Sequence, residues 1–218
     1  MAKASVILLL SFLLTSAGAR PQDPERFRKE VEKLVKRNDS LWDSTKETIV
    51  FTGSSSIKTW ESLQSDFPSR QIINSGFGGS HASDLIAYTD QLVLRYKPSK
   101  VFIYEGDNDL SERKRPGKIL KDINKILSKI WLANPNTEVI LISAKPSISR
   151  WHRKGAFRRL NRRFKRLADR QPGLYFADVW TAMLSGKKLK KDLYIEDGLH
   201  INEKGYQIWK NVIDPYVN

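Results

Sequence analysis

The chain has 218 residues, enough for one domain with a full core. Its 38 Lys and Arg against 24 Asp and Glu give a formal charge of +14, which draws it toward anionic surfaces but does not decide its fold. With no cysteine, it is not a thiol hydrolase, a disulfide-stapled domain or a lipoprotein lipidated on cysteine.

Residues 1–19 read as a secretory signal peptide. Lys3 supplies a positive start, residues 6–14 form an apolar run broken only by Ser11, and Ala17-Gly18-Ala19 fits the small-x-small cleavage rule. Cleavage after Ala19 would leave a mature domain over residues 20–218, secreted or periplasmic, with no other transmembrane candidate. Residues 24–37 predict a helix with Phe27, Val31, Leu34 and Val35 on one face. Ile49-Val50-Phe51-Thr52 predicts a buried strand ending in Gly53-Ser54-Ser55-Ser56, a tight turn that opens a short helix over 57–63 carrying Trp60. Residues 71–74 predict a second strand, 75–80 a glycine-rich loop, and 82–96 a helix that Pro98 ends.

A third strand over 100–104 runs into Glu105-Gly106-Asp107-Asn108-Asp109. The clearest amphipathic helix carries Ile119, Ile123, Ile126, Leu127 and Ile130. A fourth strand over 138–143, a helix marked by Phe157, Leu160, Phe164 and Leu167, and a fifth strand over 174–179 follow. Asn202 is placed to cap a last helix with Tyr206, Trp209, Val212 and Ile213 inward. Alternating strands and helices imply an α/β domain, with a parallel sheet covered on both faces.

Each informative loop comes after a strand, and in a parallel sheet those loops gather on one edge. A serine hydroxyl attacks only when a base takes its proton, and histidine suits that role near neutral pH. Of the three histidines, His152 lies among arginines and reads as surface. His81 follows the glycine loop, and Asp84 beyond it reads as a first-turn acid of the next helix. His200 has Asp197 three residues before it. Taken alone, that spacing is more often a surface pair. Together with a serine turn, a glycine loop and an asparagine on the same edge, it reads as catalytic.

Four blocks carry a resemblance: Gly53-Ser54-Ser55-Ser56, Asn74-x-Gly76-x-Gly78-Gly79-Ser80, Gly106-Asp107-Asn108-Asp109 and Asp197-Gly198-Leu199-His200. In this order they resemble the SGNH (GDSL-type) serine esterase and lipase family. The glycine loop and the Lys97-Pro98 before the third strand are similar to small single-domain acylhydrolases of the platelet-activating-factor acetylhydrolase catalytic-subunit kind. The resemblance implies a three-layer α/β/α sandwich on a five-stranded parallel sheet in flavodoxin-like order. It implies Ser55 as nucleophile, His200 as general base and Asp197 as the carboxylate that orients it. It implies the N–H groups of Ser55 and Gly79 and the side-chain amide of Asn108 as oxyanion donors.

The family usually has aspartate before the nucleophile, where this chain has Ser54. Ser54 and Ser56 therefore remain alternatives to Ser55. The implied activity is that of a secreted serine esterase for acetyl or other short acyl groups, with no cofactor and no metal. Lysophospholipids and thioesters are alternative substrates.

Trp60 and His81 are candidate substrate contacts, and Trp60 reads equally well as core. Asp107 and Asp109 lack further clustered ligands and read as turn and loop hydrogen-bond acceptors rather than a metal site. Residues 150–170 hold ten Lys and Arg against one acid, Asp169. That stretch reads as a solvated helix face, or as a patch docking on anionic lipid or acidic polysaccharide. It also supports a reading from another class, an anion-binding module. Aromatic residues are sparse on its polar face, so specific nucleic-acid binding is not expected. The expected partner in catalysis is a small ester or an acylated glycan or lipid.

Overall fold

A computed structural model of the chain describes residues 23–218, and the expected signal segment lies outside the described residues. Helix α1 (Arg28–Leu41) leads into β1 (Thr48–Gly53), and β2 (Gln71–Gly76) follows two short helices, α2 (Ser55–Lys58) and α3 (Leu63–Asp66). Next come α4 (Ala82–Leu92), β3 (Lys100–Tyr104), α5 (Asp107–Ser111) and α6 (Pro116–Ala133). The chain continues through β4 (Glu138–Ile142), α7 (Lys154–Ala168), β5 (Leu174–Ala177), α8 (Val179–Ala182), a small hairpin of β6 (Leu184–Ser185) and β7 (Lys188–Leu189), and α9 (Glu203–Val217).

The five long strands are all parallel, in the order β2-β1-β3-β4-β5. This is the flavodoxin-like α/β/α arrangement the sequence implied. The inner strands β1, β3 and β4 are buried on both faces, so their side chains divide between two cores. Val50, Val101, Ile103, Val139 and Leu141 pack with residues of α1, α4, α6 and α7. Ile49, Phe51, Phe102, Tyr104, Ile140 and Ile142 pack with residues of α2, α3 and α9. Phe51 and Phe102, neighbours on β1 and β3, stack at 4.2 Å between centroids.

Trp60 belongs to the second core. It is 1% exposed, lies 5.2 Å from the Tyr206 ring, and donates from Nε1 to Asp66 Oδ2 at 2.8 Å. The expected helix over 57–63 breaks around it. Thr59 Oγ1 bonds back to the Ser55 carbonyl, and Ser62 Oγ joins Trp60 on the same Asp66 oxygen. The expected helix over 82–96 ends as α4 and continues as a 3-10 turn, Leu94–Tyr96, after Val93 leaves helical geometry. Among the described residues no helix is long and apolar enough to cross a membrane.

Candidate active site

Strand β1 ends at Gly53, whose φ of 128° and contact with β3 both demand glycine. A Cβ there would sit 2.0 Å from the Tyr104 carbonyl oxygen. The Ser54 N–H donates to that same oxygen at 3.1 Å, so the serine turn is fastened to the end of β3. Asn74 at the end of β2 fixes the other side, donating from Nδ2 to the Ile57 carbonyl at 2.8 Å. The three serines then differ sharply. Ser54 and Ser56 are buried, and Ser55 on the first turn of α2 is partly exposed.

Asp197 and His200 lie on the loop between β7 and α9. Asp197 Oδ1 accepts from the N–H groups of Leu199 and His200 at 2.8 and 2.9 Å, which folds the loop back on itself. A bridge between Tyr194 and Ile201 closes its base. The Ser149 N–H, from the segment after β4, holds the Gly198 carbonyl at 3.1 Å. This leaves His200 Nδ1 2.5 Å from Asp197 Oδ2 and His200 Nε2 3.0 Å from Ser55 Oγ. The network assigns the proton on Nδ1 to the carboxylate and leaves Nε2 to accept from the serine. Burial would raise Asp197, but hydrogen bonds from the His200 ring and from the Leu199 and His200 amides outweigh it and hold the carboxyl at about 2. Ser55, Asp197 and His200 are thus brought together; Ser54 and Ser56 are not bonded to His200.

Gly79, on the loop after β2, is exposed with φ of 75°, and a Cβ built there would meet nothing within 4 Å. Glycine is required by the backbone angle, and the space beside it is open to a ligand. The Gly78 N–H is held at 3.0 Å by Glu30 Oε1 of α1, which also pairs with Lys58. Asn108 lies on α5, which follows β3. Its Nδ2 donates to Ser54 Oγ at 2.6 Å and to the Ser80 carbonyl at 2.9 Å.

Several residues of this wall carried no signal in sequence. Arg150 counted among the basic stretch facing solvent, but it turns inward. Its guanidinium reaches Asp107 Oδ1 at 2.5 Å and Asn108 Oδ1 at 3.0 Å. Asp107 is no simple turn acceptor. It also takes the Tyr104 hydroxyl at 2.8 Å and pairs with buried Lys145 at 3.3 Å. Burial would raise Asp107, and Lys145 and Arg150 overcome that and lower it. Burial pulls Lys145 below the ordinary lysine value against the attraction of Asp107. Asp109 accepts from the Ala82 N–H at 3.1 Å and pairs with Lys114 at 2.7 Å. Ser80 Oγ donates to buried Glu105 at 2.6 Å, and burial pushes that carboxyl well above the ordinary range.

His81 does not face Ser55. It is buried at the start of α4, where its N–H meets Asp84 Oδ2 at 2.9 Å and its ring lies 3.3 Å from Glu112 Oε1. Burial lowers it, but Asp84, Asp109 and Glu112 together raise it above the ordinary histidine value. Among the described residues no group of His, Asp and Glu is arranged to hold a metal ion.

Residues 39–208 match the model of the GDSL-like lipase/acylhydrolase family. No curated protein matches the chain. Among solved structures, a Streptococcus pneumonia protein provisionally assigned as a platelet activating factor is 25% identical, with a TM-score of 0.74 over 89% of this chain and 95% of that one. A GDSL-like lipase from Bacteroides thetaiotaomicron shares the fold at 21% identity and a TM-score of 0.71, over 89% of this chain and 97% of that one. A carbohydrate esterase family 3 protein from Talaromyces cellulolyticus does so at 19% and 0.66, over 78% and 96%. The chain belongs to the GDSL-like lipase/acylhydrolase family and is an ester-cleaving hydrolase.

Proposed function

We propose that the protein hydrolyses short-acyl carboxylic esters, acetyl esters above all, through Ser55, His200 and Asp197. The observation that carries this is the unbroken chain from Asp197 Oδ2 through the imidazole to Ser55 Oγ, at 2.5 and 3.0 Å. Ser55 Oγ attacks the ester carbonyl as His200 Nε2 takes its proton. The carbonyl oxygen becomes an oxyanion, received by the N–H groups of Ser55 and Gly79 and by Asn108 Nδ2. His200 passes the proton to the leaving alcohol as the C–O bond breaks, leaving an acyl-Ser55 ester. Water then attacks that ester with His200 again as base. The carboxylic acid leaves and Ser55 recovers its proton. Asp197 stays ionised throughout and holds the Nδ1 proton in place.

An open rim supports the short-acyl reading. The Asp197 and His200 side chains are 42% and 32% exposed. Trp60, the residue that would have walled an acyl pocket, is in the core. Two exposed apolar residues, Ile148 and Ile195, sit on the segments that carry the rim and offer contact for a small acyl group or the alcohol side. We also propose that residues 1–19 direct export and are removed after Ala19, leaving the enzyme secreted or periplasmic. N-terminal sequencing of the exported protein tests this.

Fluorophosphonate labelling followed by mass spectrometry tests the site. The label is expected on Ser55 and is expected to disappear in Ser55→Ala and His200→Ala. A label on Ser54 or Ser56 overturns the assignment. Rates on acetyl, lysophospholipid and thioester substrates then rank the substrate classes.

A further inference from the structure

The basic helix α7 does not present all its charge to bulk solvent. Lys154, Arg158, Arg162 and Lys165, spaced four, four and three residues apart, line one side of a groove of about 470 Å³. Lys187, from the turn between β6 and β7, lines it from across. The recessed floor is apolar, with Trp151 and Trp180 stacked at 6.0 Å beside Phe176 and Leu184. A second depression of about 800 Å³ shares Lys165, Phe176 and Asp178 with the first and continues it past Arg170 to Tyr175 and Tyr216. The two form one channel along α7 and beside β5, one of the two edge strands of the sheet. The 15 residues of α7 make it about 22 Å long.

The charge in this channel is poorly compensated. Among the described residues, Arg158, Arg162 and Lys187 enter no ion pair. Lys165 pairs with Asp169 at 2.8 Å. The acid common to both depressions, Asp178, has its carboxylate oxygens on the N–H and hydroxyl of Thr181. Cations held together around an apolar floor repel one another until an anion enters.

We propose that this channel binds a linear acidic polysaccharide, its cations meeting the carboxylates or sulfates and Tyr175, 40% exposed, meeting the face of a sugar ring. A line of charge in a channel fits a chain better than a plane. A bilayer would need protruding apolar residues, and here the tryptophans are recessed, with Trp180 only 8% exposed. Trp151 is the chain neighbour of Arg150, which holds Asn108, so one end of the channel adjoins the ester-cleaving edge. The inference does not depend on the catalytic roles proposed above.

Binding of the Ser55→Ala protein to polygalacturonate, with neutral dextran as control, tests it without turnover. Replacing Arg158, Arg162 and Lys187 by Gln is expected to weaken binding on the order of a hundredfold, from roughly fivefold per cation. Replacing Arg159, Arg163 and Arg166 by Gln removes the same charge from the same helix outside the channel. This control is expected to change affinity by less than about threefold. Tyr175→Ala is expected to weaken binding by up to about tenfold without altering its salt dependence. Equal loss in the two triple variants overturns the proposal in favour of diffuse attraction. Binding to phosphatidylglycerol vesicles but not to polygalacturonate overturns it in favour of a lipid surface, and binding to neither overturns it outright. Ester turnover by the channel variants with Ser55 intact should be unchanged on a small soluble ester, so failure here leaves the catalytic assignment standing.

Discussion

Asn108 donates from Nδ2 to Ser54 Oγ at 2.6 Å. On the roles proposed above, the residue just before the nucleophile thus aims an oxyanion donor, and a hydroxyl does this where the family usually has a carboxylate. Ser54→Ala should leave the fluorophosphonate label on Ser55 and lower kcat by about tenfold, the worth of one buried hydrogen bond. Asn108→Ala should cost about a hundredfold or more. Steady-state rates on an acetyl ester check both. An Asn108→Ala enzyme as fast as the parent would remove it from the oxyanion site.

If Asn108 has the role proposed above, Arg150 is a positioning residue and not a reacting one. It holds the far end of the Asn108 amide at 3.0 Å while anchored on Asp107. Lysine keeps the charge but not the two-pronged reach. Arg150→Lys should lower kcat by about tenfold with KM within about twofold, and leave the melting temperature nearly unchanged. Arg150→Ala should show the same loss and also melt earlier, because Asp107 loses one of its two cationic partners. An equal loss of melting temperature in the lysine variant would make the residue merely structural.

Gly79 separates space from conformation. An added methyl meets no atom within 4 Å, yet φ is 75°. Gly79→Ala should fold, with a penalty of about 1–2 kcal/mol from the left-handed backbone. It should lower kcat by about tenfold or more as the N–H is re-aimed. Chemical denaturation and kinetics on one preparation distinguish the two effects.

Two titrating groups should bound the pH range of stability from opposite sides. His81 is raised by its carboxylates, so its folded value exceeds its unfolded one. Its contribution is complete below about pH 6.5 and is lost as pH rises through the folded value. Asp197 is depressed from 3.8 to about 2, so its contribution holds above the unfolded value and is lost as pH falls through the folded one. Asp197 is largely exposed, so that second term is small. Urea midpoints of the parent should decline from about pH 6.5 upward, and those of His81→Gln should not show that decline.

The sheet was legible because β1, β3, β4 and β5 carry almost unbroken apolar runs, and the shorter Ile72-Ile73 of β2 runs into a glycine-rich loop. Asn202 was legible as a cap from its place before an apolar period, and its Oδ1 does accept from the Gly205 N–H at 3.2 Å. The short helices α5 and α8 and the β6–β7 hairpin were not legible, because four or five residues hold no periodicity. Ser55, Asp197 and His200 could be listed from motif order, and the turn then separates the three adjacent serines by setting the Ser55 hydroxyl, and not those of Ser54 and Ser56, against His200. Arg150 could not be separated from the other arginines, since inward and outward cations look alike until the loop after β4 is placed. Trp60 and His81 sat at the right sequence positions and face elsewhere, one toward the Tyr206 ring and the other into a cluster of acids.

The hydrogen bond from Ser54 N–H to the Tyr104 carbonyl joins the serine turn to the strand that leads to Asn108. On the roles proposed above, attack and charge reception are therefore built on the centre of the sheet and share its stiffness. On the same proposed roles, the proton-handling half is built differently, on a solvent-facing loop tied to the segment after β4 by the Ser149 N–H on the Gly198 carbonyl and the Tyr194 hydroxyl on the Pro146 carbonyl. The enzyme is thus two components of unequal durability. On warming, the imidazole would drift away from an otherwise intact serine before any strand parted, so the catalyst would fall silent while the protein remained folded.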